Sequence, residues 1–237
     1  IGVRLVGSEM CIRDSNKTES IIFSLRTHNM VNPTSIKFLG IHVDPKLTFI
    51  HHIDHIRQKL ARNVYLLKNL VKFVEPNVCL MAFHALIQSH CSFAILVWGH
   101  TSQASRVFAL QRKALRILAS LDYRADTSES YVSLNILTLP CIYILESLML
   151  AKNDHSKYLP ISSRHTHNTR SSNNLIINYS RLSRTRNSTN YFAPILYNKL
   201  PPHVKNLDVR SFKITMKKYL INQCYFCLLY TSDAADD

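Results

Sequence analysis

From Ile53 the chain sets apolar residues three and four positions apart, at Ile53, Ile56, Leu60, Val64, Leu67 and Val71. Polar and basic residues fill the gaps. Only a helix with one buried face uses that spacing, so the run predicts a long amphipathic helix beginning near His51. Pro76 ends it and opens a second stretch, Val78 to Trp98, which holds no Lys, Arg, Asp or Glu. Proline suits a first helical turn, where its missing N–H would have no partner. Gly99 then closes this second helix. Its length could span a bilayer. His84, Gln88, Ser89, His90 and Ser92 interrupt it, however, and polar groups are costly in hydrocarbon. A helix buried in a bundle is the better reading, with no membrane partner and no secretory signal.

Two helices come next. Gln103 to Leu121 has an apolar stripe of Val107, Leu110, Ala114, Ile117, Leu118 and Leu121 beside a basic arc of Arg106, Arg112, Lys113 and Arg116. Pro140 to Lys152 forms the second. Between Asp154 and Asp208 no acidic residue occurs, and Ser, Thr and Asn dominate Ser162–Asn190, which reads as a mobile loop or linker. Tyr191–Asn198 and Ser211–Asn222 read as short closing helices. Upstream, Ser20–Leu25 and Ile36–Val43 are β-branched and aromatic. They predict two strands joined through Asn32-Pro33, and Asp44-Pro45 breaks the second.

The two ends need separate treatment. Met10 to Asp14 can be encoded as ATG TGT ATA AGA GAC. Followed by AG, its reverse complement is CTGTCTCTTATACACAT. Read from its second base, this encodes Cys227-Leu228-Leu229-Tyr230-Thr231 and the start of Ser232. One DNA element on opposite strands therefore accounts for both ends. They resemble translated transposase adaptors of the kind used to build sequencing libraries, and segments of that origin are set aside before fold reasoning. A natural inverted repeat would leave the same signature.

The formal net charge is +14. The two end segments are net acidic, so the remainder is more basic still. An excess of that size points to a polyanionic partner, because Lys and Arg displace counterions from phosphates; a basic surface that binds nothing is the alternative. Cys79, Cys91, Cys141 and Cys224 remain once Cys11 and Cys227 are excluded. They show no paired framework, as expected of reduced thiols inside the cell. The apparent Cys224/Cys227 pair spans the suspected junction.

Polymerase chemistry needs paired carboxylates to hold two metal ions. The only adjacent aspartates are Asp236-Asp237, within the suspected adaptor. His51, His52, Asp54 and His55 invite a zinc reading but lack a full ligand signature, and a polar helix start explains them. Cys79, His84, His90 and Cys91 fit a helix core better than a metal site. With four glycines in the chain, there is no phosphate-cradling loop. The basic arc of the third helix is the strongest candidate site, able to track a phosphate backbone while the stripe packs inward. The basic stretch from Arg164 to Arg170 is a second.

Several segments, in order, resemble reverse transcriptases of LINE-type, jockey-like non-LTR retrotransposons. Asn16-Lys17-Thr18-Glu19 followed by Ile21-Ile22-Phe23 is similar to the segment after the family's catalytic aspartates. Lys37-Phe38-Leu39-Gly40-Ile41 is similar to its primer-holding hairpin. Asp44 through Leu70, Val97-Trp98-Gly99 and Leu110 through Arg116 are similar to the thumb and the region after it. Asn168-Thr169-Arg170 and Tyr191 through Pro202 are similar to the C-terminal segment. The resemblance implies an α+β fold, mainly α. Residues 16–44 would be a palm remnant with a β-hairpin, 45–152 a helical thumb-like bundle, and 153–226 a basic linker with C-terminal helices; 1–15 and 227–237 are the adaptor-derived tails.

The implied parent reaction is RNA-templated DNA synthesis with magnesium. The fingers and catalytic aspartates would lie upstream of Asn16. The chain is therefore expected to be inactive and to hold no cofactor, while retaining binding to RNA or DNA. By resemblance Lys17 matches the lysine that assists the leaving pyrophosphate, and Phe38, Leu39 and Gly40 match the primer-holding turn. An independent basic helical nucleic-acid-binding or interaction protein is the competing class. An intracellular location, cytoplasm or nucleus, is expected under either; nothing in the sequence speaks to oligomeric state.

Overall fold

The computed structural model describes residues 19–23, 33–154, 157–164, 172–186 and 188–223. Lys17, Arg170, both suspected adaptor segments and the Cys224/Cys227 pair lie outside these. The fold is α+β and mainly helical, one short antiparallel hairpin preceding a series of helices. The chain divides into two compact units, Ile1–His52 and Ile53–Asp237.

The first unit corrects the expected strands. Residues 20–23 carry no strand, and residues 24 and 25 lie outside the described set. The expected strand Ile36–Val43 is itself the hairpin. β1 (Ile36–Phe38) pairs antiparallel with β2 (Ile41–Val43), Phe38 opposite Ile41. The chain reverses at Leu39 (φ 47°) and Gly40 (φ 85°). Positive φ at both central residues gives a two-residue turn whose twist matches that of the strands. Glycine adopts it freely, whereas leucine does so at a cost. Alternating apolar residues cannot reveal such a turn, because it adds no residue that breaks the pattern.

Asp44 then fixes the exit. Its carboxylate accepts from the N–H of Thr48 (2.9 Å), the hydroxyl of Thr48 (2.9 Å) and the N–H of Phe49 (2.7 Å). Burial pushes its pKa up, but the hydrogen bonds from Thr48 and Phe49 outweigh this and hold it below the ordinary aspartate value. The bonds order the chain into α1 (Ile50–Leu70), as side-chain acceptors do at helix starts.

In the second unit, Ile53, Ile56, Leu60, Val64 and Leu67 are buried along α1, as their spacing requires. Each such side chain contributes roughly 1.5–3 kcal/mol of transfer free energy. The single helix expected from Val78 to Trp98 is instead segmented. α2 (Pro76–Phe83) runs into a π-helical turn, His84–Gln88, then α3 (Ser89–Ser92). Ala94, at φ 50°, breaks the chain before α4 (Ile95–Trp98). The break is bridged by Trp98, whose indole N–H donates to Phe93 O at 3.0 Å. Gly99 matters here for space: a Cβ on it would lie 2.6 Å from Ile95 O and 2.8 Å from the Tyr143 ring.

α5 (Ala104–Leu118) and α6 (Ser128–Ser133) lead to α7 (Leu139–Asn153). α7 is buried on nearly every side, with Cys141, Ile142, Tyr143, Ile144, Leu145, Ser147 and Leu148 all inside. A helix apolar all round belongs at the centre of a core. Next come α8 (Ser183–Arg186) and α9 (Thr189–Asn198), then α10 (Pro202–Lys205) and α11 (Val209–Gln223). Phe192 of α9 stacks on Tyr143 at 5.8 Å between centroids. Cys141 donates its S–H to Leu220 O of α11.

The polar stretch Ser162–Asn190, expected to be loose, is tied down where it is described. Pro160 and Leu175 form an antiparallel bridge, and the Asn198 side chain bonds both backbone groups of Leu175 (2.7 and 2.9 Å). Among the described residues no helix is long and apolar enough to cross a membrane. Cys79, Cys91 and Cys141 are free and buried, and burial pushes the Cys91 thiol up to about 12.

Candidate nucleic-acid interface

The sequence of α5 alternates two sets of residues at steps of three and four. Ala104, Val107, Phe108, Gln111, Ala114 and Leu115 are buried. This corrects the expected stripe. Val107 and Ala114 belong to it, but Leu110, Ile117, Leu118 and Leu121 do not reach full burial, and Gln111 takes a central place. Gln111 is inside because its amide is matched. Its Nε2 donates to Gln88 Oε1 (2.9 Å) and Leu137 O (3.0 Å), and its Oε1 accepts from Leu139 N–H (2.9 Å). Gln88, from the π-turn, donates to the same Leu137 carbonyl at 3.1 Å. A buried amide so satisfied costs little and fixes the helix about its own axis.

That rotation sends the other set outward, into the wall of a cleft of about 610 Å³. Arg106, Arg112, Lys113 and Arg116, the four cations of the predicted basic arc, all line it, together with the apolar Ala109 and Leu110. Three further residues complete it: Arg57 from α1, and Tyr123 and Arg124 from the segment after α5. Among the described residues, six cationic side chains thus line the cleft and no carboxylate does. Sequence reasoning missed the last three residues. The Tyr-Arg pair shortly after a basic helix was the one signal available; Arg57 is brought in by the fold alone.

Two contacts anchor the cleft. Asp54 pairs with Arg57 (2.8 Å) and with Arg106 (3.3 Å), linking α1 to α5. All three side chains are over a third exposed, so the pairs orient more than they stabilise. Arg116 holds the loop after α5: its backbone carbonyl accepts from Leu121 N–H (2.8 Å) and its Nε donates to Ala125 O (3.0 Å). The guanidinium of Arg112 lies 5.9 Å from the centroid of the Phe108 ring. Nearby, Asp126 is held below the ordinary aspartate range by hydrogen bonds from Ser128 and Thr127, with Arg112's charge contributing.

Of the other sequence candidates, Arg164 in the same unit is not brought here. Arg164 is exposed and donates to Asn178 Oδ1 at 3.3 Å, away from the cleft lining. Phe38, Leu39 and Gly40 form the hairpin turn of the first unit, with Phe38 and Leu39 largely exposed. Among the described residues no three His, Cys, Asp or Glu side chains converge as a metal site.

No protein-family model matches the chain, and no solved structure does. Among curated proteins it is similar to the probable RNA-directed DNA polymerase from transposon X-element of Drosophila melanogaster, 23% identical over 142 residues. The match covers 53% of this chain and 16% of that protein. The chain is thus distantly and partially related to a transposon RNA-directed DNA polymerase.

Proposed function

We propose that this chain is a part of a LINE-type, jockey-like reverse transcriptase that grips nucleic acid and does no chemistry of its own, and that the cleft of α1, α5 and the loop after α5 is its phosphate-binding surface. The observation that carries the reading is the convergence of six cations from three separate segments on a cleft lined by no acid. Asp54 pairs with two of the six, Arg57 and Arg106; an excess of cations on one surface attracts a polyanion, and phosphates are the matching ligand. The partial similarity to a transposon polymerase and the net charge of +14 point the same way. Metal-dependent phosphoryl transfer would be supplied by another part of the parent enzyme. Residues 1–15 and 227–237 are, in this reading, adaptor-derived; amplifying the locus without transposase adaptors tests that directly.

The cleft is tested by charge removal. Arg112 lies over Phe108 and Arg116 holds the loop after α5, whereas the exposed Arg106–Asp54 pair stabilises little, so the variant is Arg106→Gln, Lys113→Gln and Arg124→Gln together. Glutamine keeps length and some hydrogen bonding but removes charge. Each lost phosphate contact lowers the log–log salt slope by about 0.9 on duplex DNA, so the triple variant should lower it by roughly two to three. The loss should be similar across sequences, because phosphate contacts position and do not specify. A titration at several salt concentrations, with circular dichroism on the variant, reads the result. An unchanged slope in the folded variant means the cleft is only a solvated face.

A further inference from the structure

Phosphates alone do not explain the rim of the cleft. Tyr123 stands there with 79% of its surface exposed. Among the described residues it makes no ring contact and no hydrogen bond. It does not sit on a loose loop. The N–H of Ala125 donates to Asp122 O at 3.1 Å, so Tyr123 and Arg124 are the two central residues of a β-turn. Arg116 clamps this turn at both sides, through Leu121 N–H and through Ala125 O. The segment therefore places an aromatic residue and an arginine in succession on a hydrogen-bonded turn, both lining a cationic cleft that Ala109 and Leu110 also line.

We infer that the cleft takes single-stranded nucleic acid, with the cations on its phosphates and one unpaired base stacked on Tyr123. The inference rests on the phosphate-binding reading above and narrows its ligand. The case is one of shape and chemistry. A duplex turns its phosphates outward on a convex rail and keeps its base faces inside the stack, so it offers nothing to a lone ring. A single strand offers both phosphates and free base faces, and stacking on an aromatic is indifferent to which base it is. A volume of about 610 Å³ falls within the range of ligand sites, roughly 300–1,000 Å³, and the cleft is open to solvent, which leaves a strand room to enter and leave. Ala109 and Leu110 in the lining give sugar and base edges an apolar surface that phosphate does not need. Holding Tyr123 on a clamped turn also lowers the ordering cost of stacking.

The experiment uses the full chain and two probes of equal length: an oligothymidylate carrying one 2-aminopurine, and the same strand annealed to its complement. Tyr123→Ala should weaken single-strand binding about tenfold, with duplex binding little changed. It should leave the salt slope unaltered, since no charge is lost. Tyr123→Phe should bind as the parent does. 2-Aminopurine fluorescence should be quenched on binding the parent and the Phe variant, but not the Ala variant. Equal losses on both probes, or no loss on either, overturn the stacking inference. So does a mononucleotide that competes as strongly as the oligonucleotide, since the site would then be a nucleotide pocket and not a strand groove. The two readings fail separately. If the triple charge variant weakens binding while Tyr123→Ala does not, only the stacking is wrong. If neither variant matters, the phosphate reading falls too.

Discussion

α5 and α7 are both helices of 15 residues, and they have opposite fates. α7 has apolar side chains on nearly every side and lies in the core; α5 keeps one face inside and turns the other into the cationic cleft. The difference is one of tolerance. On α7 only a narrow stripe, Glu146, Leu150 and Asn153, lies outside the packing. On α5 the outer residues can change their charge without opening the core, and that freedom lets a surface become a binding site. The one polar residue that α5 buries, Gln111, is what separates its two faces.

The contrast is broken most directly from the α7 side. Leu148 is 2% exposed. Leu148→Ala removes buried methyl groups and leaves a cavity, so it should destabilise the fold by about 2–5 kcal/mol. The measurement is the shift in urea midpoint. A cost near zero would mean that α7 is not the centre of the core.

A smaller loss tests the inner face of α5. Gln111→Ala leaves the Leu139 N–H and the Gln88 amide short of a partner, which should cost about 1–3 kcal/mol. It should also weaken nucleic-acid binding by more than the lost stability explains, because the amide sets the rotation of the basic arc. Gln111→Glu retains one acceptor, and partial recovery of binding would separate positioning from packing. Binding that stays unchanged in a destabilised Gln111→Ala chain would remove the positioning role.

The smallest effect concerns pH at the edge of α7. His100 has its ring 6.5 Å from that of Tyr143, and burial holds its pKa below the ordinary histidine value of 6.5. The folded state therefore resists protonation more than the unfolded chain does. Stability is fully present above the unfolded value. It falls as pH drops below about 6.5 toward the lower folded value, because the unfolded chain binds the proton first. His84 and His90, also held low by burial and by Lys217 and Lys59 respectively, act in the same direction. His100→Gln should make midpoint against pH less steep in that window without abolishing the trend. An identical slope would show that water reaches the imidazole.

Local pattern predicts α1 well, because Ile53, Ile56, Leu60, Val64 and Leu67 need nothing beyond their own spacing to define a face. It predicts the helix limits near α7, α9 and α11 for the same reason. It fails where a partner distant in sequence decides the outcome. Gln111 reads as polar and falls outside the predicted stripe, and only Gln88, Leu137 and Leu139 make its burial cheap. The π-turn and the break at Ala94 carry no local signature, since the residues on either side favour an unbroken helix. The hairpin turn at Leu39-Gly40 hides inside an apolar run; the family resemblance points to it, the strand pattern does not.

For the site, the charge, the basic arc of α5 and the lack of adjacent carboxylates between residues 16 and 226 are legible in the residues alone. Those are properties of composition and of steps of three and four, and a chain carries them folded or not. Packing is what brings Arg57 to the arc from α1, sets Arg116 against the turn and places exposed Tyr123 in the cleft lining. The reason is physical. A cleft is made by separate segments meeting, and which cations meet is set by how the buried faces of α1 and α5 pack, an outcome that depends on shape and hydrogen bonding between residues far apart in the chain.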